Sequence, residues 1–458
     1  MALVPASTAR LGTGCQGNRQ QQEGEKDQMK QGLPWWLTSR RWPLLVNWLL
    51  VGMFLLSSCA SSPAVSSPSM CISTTPHQAL GGNTALVGVT ALSSKDVWVS
   101  GTSSDTNDSR IVPLMEHWDG TSWSVVPTAN TSALLNSLLA QGKGPASVAT
   151  ELTRLAAVST DDIWAVGFVE VYQQGQNPFR ERALIEHWDG QQWKVVPGPS
   201  VGGQGEHTVL NDVVALSAND LWAVGSHSSL PSGTPTFRNS TLVEHWDGSS
   251  WQLVQVSGSL AGEDVMLEGL AASAPDDVWA IGQGYKADFS HLPPPVVHWD
   301  GRSWSQVVLP TTLNIDTLDG VVAISTRDVW AMGGPKSSGP NPTLILIIHW
   351  DGRQWSRVAS AAVGTNGSDL IAGAADGAND VWAVGILFKP LGTSTSTAFP
   401  GRPLVEHWDG SRWQSVAVPG VSSGALAGVA MAGGKIWMVG NTVGTTGTDV
   451  RQLIVTNC

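Results

Sequence analysis

Between Leu210 and Val254 the chain alternates short apolar runs with polar breaks. Val213-Val214-Ala215-Leu216 predicts a first strand, and Ser217-Ala218-Asn219-Asp220 a turn whose side chains can bond their own backbone. Leu221-Trp222-Ala223-Val224-Gly225 is apolar on both faces, the pattern of a strand sandwiched between layers. After a variable polar stretch from Ser226 to Ser240, Leu242-Val243-Glu244-His245-Trp246 predicts a third strand and Trp251-Gln252-Leu253-Val254 a fourth. Asp247-Gly248 between these two β-prone runs is a strong short hairpin signal. The stretch therefore predicts a meander of four antiparallel strands.

The same pattern recurs along the chain. The phrase x-His-Trp-Asp-Gly-x-x-Trp begins at Glu116, Glu186, Glu244, Val297, Ile348 and Glu406. Ahead of each copy stands a second phrase, Asp-Val-Trp or a close variant, at Asp96, Asp162, Asp220, Asp277, Asp328 and Asp380. A seventh, Lys435-Ile436-Trp437, has no His-Trp-Asp-Gly after it. Repeats of this length imply a stacked or circular architecture. Four strands per unit and seven units predict an all-β, seven-bladed β-propeller over residues 71–458. The last blade lacks a fourth strand, and Cys71-Ile72-Ser73-Thr74-Thr75, just ahead of the first blade, can supply it and close the ring.

His-Trp-Asp-Gly-x-x-Trp resembles the Asp-box hairpin of sialidase-type propellers, shorter by one residue and with His in place of Ser or Thr. The whole unit also resembles kelch and galactose-oxidase-type blades. The resemblance covers about 370 residues and implies the fold; these folds host many activities, so it implies little about function.

Ahead of the repeats, Arg40-Arg41 precede an uncharged run from Trp42 to Leu56, too short to span a bilayer comfortably but suited to the apolar core of a signal peptide. It ends Leu56-Ser57-Ser58-Cys59, which resembles the bacterial lipobox. That resemblance implies cleavage of residues 1–58 and lipidation of Cys59, anchoring an exported protein to the outer side of the cell membrane. Translation can start at Met1 or Met29. Residues 59–70, rich in Ala, Ser and Pro, read as a flexible tether.

Charge narrows the partners. Of 25 Lys+Arg and 37 Asp+Glu, six and three lie in residues 1–58, which leaves 19 basic against 34 acidic, a net of −15. That balance disfavours nucleic acid and anionic lipid, so the lipid anchor is the expected membrane contact. Cys15 goes with the leader and Cys59 with the lipid, leaving Cys71 and Cys458 at the two ends of the repeats. In an exported protein that placement suggests a disulfide locking the ring; two unpaired thiols are the alternative.

The recurring His117, His187, His245, His298, His349 and His407 occupy one place in six blades, too far apart for a metal that needs its ligands within a few ångströms. They predict an in-blade hydrogen bond, and the recurring Asp residues predict turns. Of 23 tryptophans, four lie in the leader and all nineteen others fall at repeat positions, so none is left as a separate sugar platform. The only tyrosines are Tyr172 and Tyr285, and no arginine cluster for sialidase chemistry accompanies them. No catalytic constellation, cofactor or metal site emerges.

Two departures from the repeat suggest binding. The second-to-third-strand loops carry the aromatics and neighbouring cations Phe179, Arg180, Phe237, Arg238, Tyr285, Phe289, Phe388 and Phe399, residue types favoured in interface cores. At the start of the innermost strands, Arg154, Asp212, Glu268 and Asp319 should cluster at the channel mouth. Leu134, Leu135, Leu138 and Leu139 have helical spacing in the longest connection, residues 131–153. The expectation is a monomeric, lipid-anchored module that binds a protein or cell-envelope polymer. A glycan hydrolase or lyase working at the channel mouth is the alternative.

Overall fold

A computed structural model describes residues 68–73, 82–104, 111–140, 146–173, 179–201, 207–229, 238–257, 260, 264–285, 292–315, 317–334, 345–361, 368–388, 401–444 and 449–458. The leader, the lipobox Cys59 and the loop residues Phe237, Phe289 and Phe399 lie outside them.

The described chain is a succession of four-stranded antiparallel meanders, here called units in chain order. Unit 3 is typical. Its strands His207–Ser217, Asp220–Ser229, Arg238–Trp246 and Trp251–Leu253 pair in sequence order. Unit 1 (Asn83–Val125) and unit 2 (Ala146–Val195) are joined by one parallel bridge, Ile111 to Ala149. Unit 4 (Asp264–Gln306) gains a short parallel strand, Val256–Ser257. Unit 5 (Gly320–Val358) and unit 6 (Ser368–Ser415) repeat the plain meander. Unit 7 contributes Gly424–Ala432, Lys435–Val443 and Val450–Asn457, and its fourth strand is Met70–Ser73 from the start of the described chain. Met70 pairs with Asn457 as Trp123 pairs with Trp118, so a methionine stands where the other units carry a tryptophan. Cys71 and Cys458 are joined by a disulfide across 387 residues, with a Cα–Cα distance of 5.3 Å.

Strand lengths exceed what the sequence pattern suggests. The stretch Ser226–Ser240 continues both flanking strands, to Ser229 and from Arg238. These ends are less buried than the middle of the strands, so apolar patterning fades there while backbone pairing continues.

The His-Trp-Asp-Gly phrase builds each unit's outer hairpin. Asp247 Oδ1 accepts the amides of Ser249 and Ser250, and Gly248 takes φ 92°, the left-handed conformation such a turn requires. His245 Nε2 lies 2.8 Å from Asp220 Oδ1, and its ring stacks 4.3 Å from Trp222. The contact recurs at His117–Asp96, His187–Asp162, His298–Asp277, His349–Asp328 and His407–Asp380. The aspartates of the Asp-x-Trp phrase, read as turn residues from the sequence, are thus also the histidines' partners.

Tryptophans bind neighbouring units together. Trp98 of unit 1 meets Trp188 and Trp193 of unit 2, and Trp164, Trp222, Trp279 and Trp330 each meet the corresponding pair in the next unit. In unit 7 the absent pair is replaced, and Trp382 of unit 6 packs with Met70, Met438 and Val455. Trp437 of unit 7 lies against Trp118 and Trp123 of unit 1. The first strands of units 3 to 6 line a common cavity of about 520 Å³. Sheets packed side by side with their first strands turned to one interior form a fold of β-propeller type.

Candidate functional site

One irregularity positions the polar groups of the interior. The first strand of six units carries a register shift: Leu86/Gly88, Leu152/Arg154, Leu210/Asp212, Leu267/Gly269, Leu370/Ala372 and Leu426/Gly428. Each leaves one residue unpaired, as a β-bulge does. The leucine before it is buried, while the bulged and following residues turn inward. Where they are polar they bridge units: Thr153 Oγ1 donates to Leu210 O at 3.1 Å and Asn211 Nδ2 to Leu267 O at 2.8 Å. Because the strands continue past the bulge toward the loops, these groups lie inside the strand layer and not at its rim, as the sequence placed them.

Arg154 Nη1 donates to Val87 O and Thr153 O at 3.1 and 2.9 Å and touches Asp212 only through space. Asp212 accepts the amides of Val213 and Leu270, both at 2.8 Å, and ties unit 3 to unit 4. Burial raises its carboxyl to about 6 against the pull of Arg154. Both residues are largely committed to the scaffold.

Glu268 and Asp319 are different. Burial first, then the charge of Asp319, pushes Glu268 up to about 7. Asp319 accepts from Thr317 and from Gln283 Nε2 at 3.0 Å. Burial raises the carboxyl of Asp319, and Asp369 beside it is pushed up to about 7 by burial and then by Asp319. Tyr285 Oη donates to Gln283 Oε1 at 2.6 Å, and its own proton is held more tightly because of burial and of Glu268 and Asp319. The structure thus joins Tyr285, expected on the loops, to Glu268 and Asp319, expected in the interior, through a glutamine the sequence did not single out. The chain Tyr285–Gln283–Asp319–Asp369 with Glu268 beside it can accept donors and hold a cationic or polyhydroxyl ligand.

The remaining loop residues do not converge on it. Arg180 is half-buried on Phe179–Trp188 and Arg238 is exposed at the start of its strand. Phe388 is half-buried at a strand end, and Phe179 pairs with Tyr172 through backbone. Arg180 and Arg182 instead face His207, whose ring burial holds its pKa down at about 4. Glu181, whose Oε2 lies 3.7 Å from His207 Nδ1, belongs with Glu151 and Glu170 to a second acidic group missed in the sequence, on the long strands of unit 2; burial, then Glu170 and Glu151, raises Glu181 to about 7. Among the described residues no group of three or more His, Cys, Asp or Glu is arranged to hold a metal ion.

No family model matches the chain, and no curated protein matches it. Among solved structures it is similar to YCF48 bound to D1 peptide, with a TM-score of 0.47 and 11% identity over 86% of this chain and 98% of that one. YCF48 from Cyanidioschyzon merolae gives 0.47 and 12% over 85% and 98%, and phage phi92 endosialidase 0.45 and 9% over 85% and 69%.

Proposed function

We propose that the chain is a seven-bladed β-propeller, closed between units 7 and 1, that binds a protein or cell-envelope polymer on its loop-bearing side. Closure is supported by Trp437 seated against Trp118 and Trp123, by Gln452 Nε2 donating to Glu116, and by the Cys71–Cys458 disulfide. The observation that carries the binding reading is the Tyr285–Gln283–Asp319–Asp369 chain with Glu268, an acceptor-rich buried group that also ties unit 4 to unit 5 through Gln283 and Asp319. Arg238 and Phe388 stand at loop-bearing strand ends of units 3 and 6. Export and lipidation at Cys59 would place a monomeric module outside the cell membrane; loss of metabolic palmitate labelling in Cys59→Ser tests this.

The binding reading is tested by crosslinking capture from the native envelope with the full-length protein. A partner captured by the native chain and lost with Glu268→Gln, Asp319→Asn supports it; equal capture by both chains overturns it. A second reading, glycan hydrolysis or elimination, is favoured by one feature: three neighbouring buried carboxyls, Glu268, Asp319 and Asp369, all raised above their ordinary values, an environment that acid–base chemistry uses. Cleavage of any member of a glycan panel, abolished by Asp369→Asn in a protein that still folds, would establish it in place of the first.

A further inference from the structure

Four units carry a glutamate immediately before the repeated histidine, and all four side chains are buried: Glu116, Glu186 and Glu406 at 0% exposure and Glu244 at 2%. Units 4 and 5 have Val297 and Ile348 in the same place, also at 0%. A buried carboxyl needs a donor. Glu116 receives Gln452 Nε2 at 3.2 Å, Glu186 the amide of Ala129 at 3.0 Å, and Glu406 the hydroxyl of Ser360 at 2.6 Å. The last two donors come from the connection that leaves the preceding unit, the sixth residue after its final tryptophan (Trp123 to Ala129) and the fifth (Trp355 to Ser360). In the connection that reaches Glu244, counted from Trp193, the fifth residue is Gly198, with no side chain, and the sixth is Pro199, with no N–H. Both donor routes are removed at once: Glu186 has one unpartnered oxygen beside a bonded one and Glu406 keeps its bond from Ser360, whereas Glu244 Oε2 is unpartnered among the described residues with neither of those donors present.

What lies over this carboxyl is space. A cavity of about 350 Å³ between units 2 and 3 has Glu244, Ile185 and Thr208 on its buried floor, with Leu134 of the helix Ser132–Leu139 and Val201 on its walls. Its rim, around Pro197 and Ser200, is exposed. A Cβ on Gly198 would stand 3.4 Å from Oε2 and 3.8 Å from Oε1, so glycine leaves the space beside the buried carboxyl unfilled by a side chain. The cation on the cavity wall, Arg182, donates to Glu181 O.

We propose that this cavity binds a primary alkylammonium group, the ammonium on Glu244 and the aliphatic stem against Leu134, Ile185 and Val201. A buried carboxyl with no donor of its own, which burial keeps protonated up to about pH 8, is ionised by a ligand that brings several N–H donors and positive charge, and the apolar side chains beside it call for a methylene stem. A metal ion would need further ligands that the cavity does not offer. The same chemistry can come from a free amine or from a lysine side chain of another polypeptide.

The test is calorimetric titration of the full-length protein in detergent with n-butylammonium and, separately, with the tripeptide amide acetyl-Gly-Lys-Gly-NH2. Saturable one-site binding of n-butylammonium, with n-butanol inert, is expected. The affinity should fall by about tenfold or more in Glu244→Val, which copies unit 4, and in Gly198→Ser, which supplies the missing donor as Ser360 does. Should Glu244→Val not fold, Gly198→Ser alone decides. Tighter binding of the peptide than of n-butylammonium identifies a lysine side chain as the source; tighter or exclusive binding of the free amine identifies a small metabolite. Binding of neither, or binding that both variants retain, overturns the proposal and leaves water as the occupant.

Discussion

The buried glutamates make the stability of this protein depend on pH in a direction opposite to that of ordinary paired carboxylates. Burial raises Glu116 and Glu186 from 4.5 to about 7 and Glu244 to about 8. A folded pKa above the unfolded one means that the folded chain holds more protons between these values. Stability is therefore fully present below about 4.5 and is lost as pH rises through 7 to 8. A tenfold difference in proton affinity between the folded and unfolded chain corresponds to about 1.4 kcal/mol, which sets an upper scale of a few kcal/mol for Glu244. The midpoint of thermal unfolding should fall between pH 5 and 8.5, and the fall should shrink by a few degrees in Glu244→Val; an unchanged difference would count against burial as the cause. The histidines test a different contact. His245→Ala removes the bond to Asp220 and the stack on Trp222, and urea denaturation should show a loss of about 1–3 kcal/mol. The histidines' partners were within reach of the sequence because they repeat. Asp369 and Gln283 were not, since Asp369 stands two residues before the bulge at Leu370/Ala372 and Gln283 lies on a second strand, opposite Met266. The exception at Gly198-Pro199 becomes legible only against the donors of the other units.

At the scale of the element, the hairpins were legible and the strand ends were not. Asp-Gly fixes its turn through two amide bonds to the aspartate and a positive φ at the glycine, both local matters that two residues encode. The ends of the middle strands are held by backbone pairing and by polar side chains such as Ser228, Asn239 and Asp264, with no apolar alternation, and so read as loop. The turn glycines divide by what surrounds them. At Gly248, φ is 92° and a Cβ would meet Asn219 Oδ1 at 2.5 Å; at Gly434, φ is 74° with nothing within 4 Å. Gly248→Ala should lose about 1–3 kcal/mol from strain and collision together, Gly434→Ala only the conformational part of about 1 kcal/mol. Equal losses in denaturant titrations would show that the collision is relieved by movement of Asn219.

For the whole molecule the question is what holds its two ends together. The repeat predicted a borrowed strand at residues 71–75, and the pairing occurs at Met70–Ser73, one residue earlier, because Met70 must take the tryptophan's place opposite Asn457. That strand is only four residues long, and its exposed face carries Ile72 at 45%. Its own contacts are therefore few: Met70 in the cluster with Trp382, Ser73 Oγ accepting from Trp123 Nε1, and the disulfide. Closing a loop of 387 residues is worth up to about 6 kcal/mol in the chain-entropy model. The interface of units 7 and 1 does not depend on it, since Trp437, Gln452 and the bond from Val450 N to Asn83 remain after reduction. Cys71→Ser, Cys458→Ser should accordingly lower the unfolding midpoint and leave the fold intact. Hydrogen exchange should rise first at Met70–Ser73 and along Ile454–Asn457, the strand that loses its partner, while the amides of Trp222–Gly225 in unit 3 stay protected. Uniform exchange across all units would mean instead that the disulfide supports the interface itself and that the ring opens as one body.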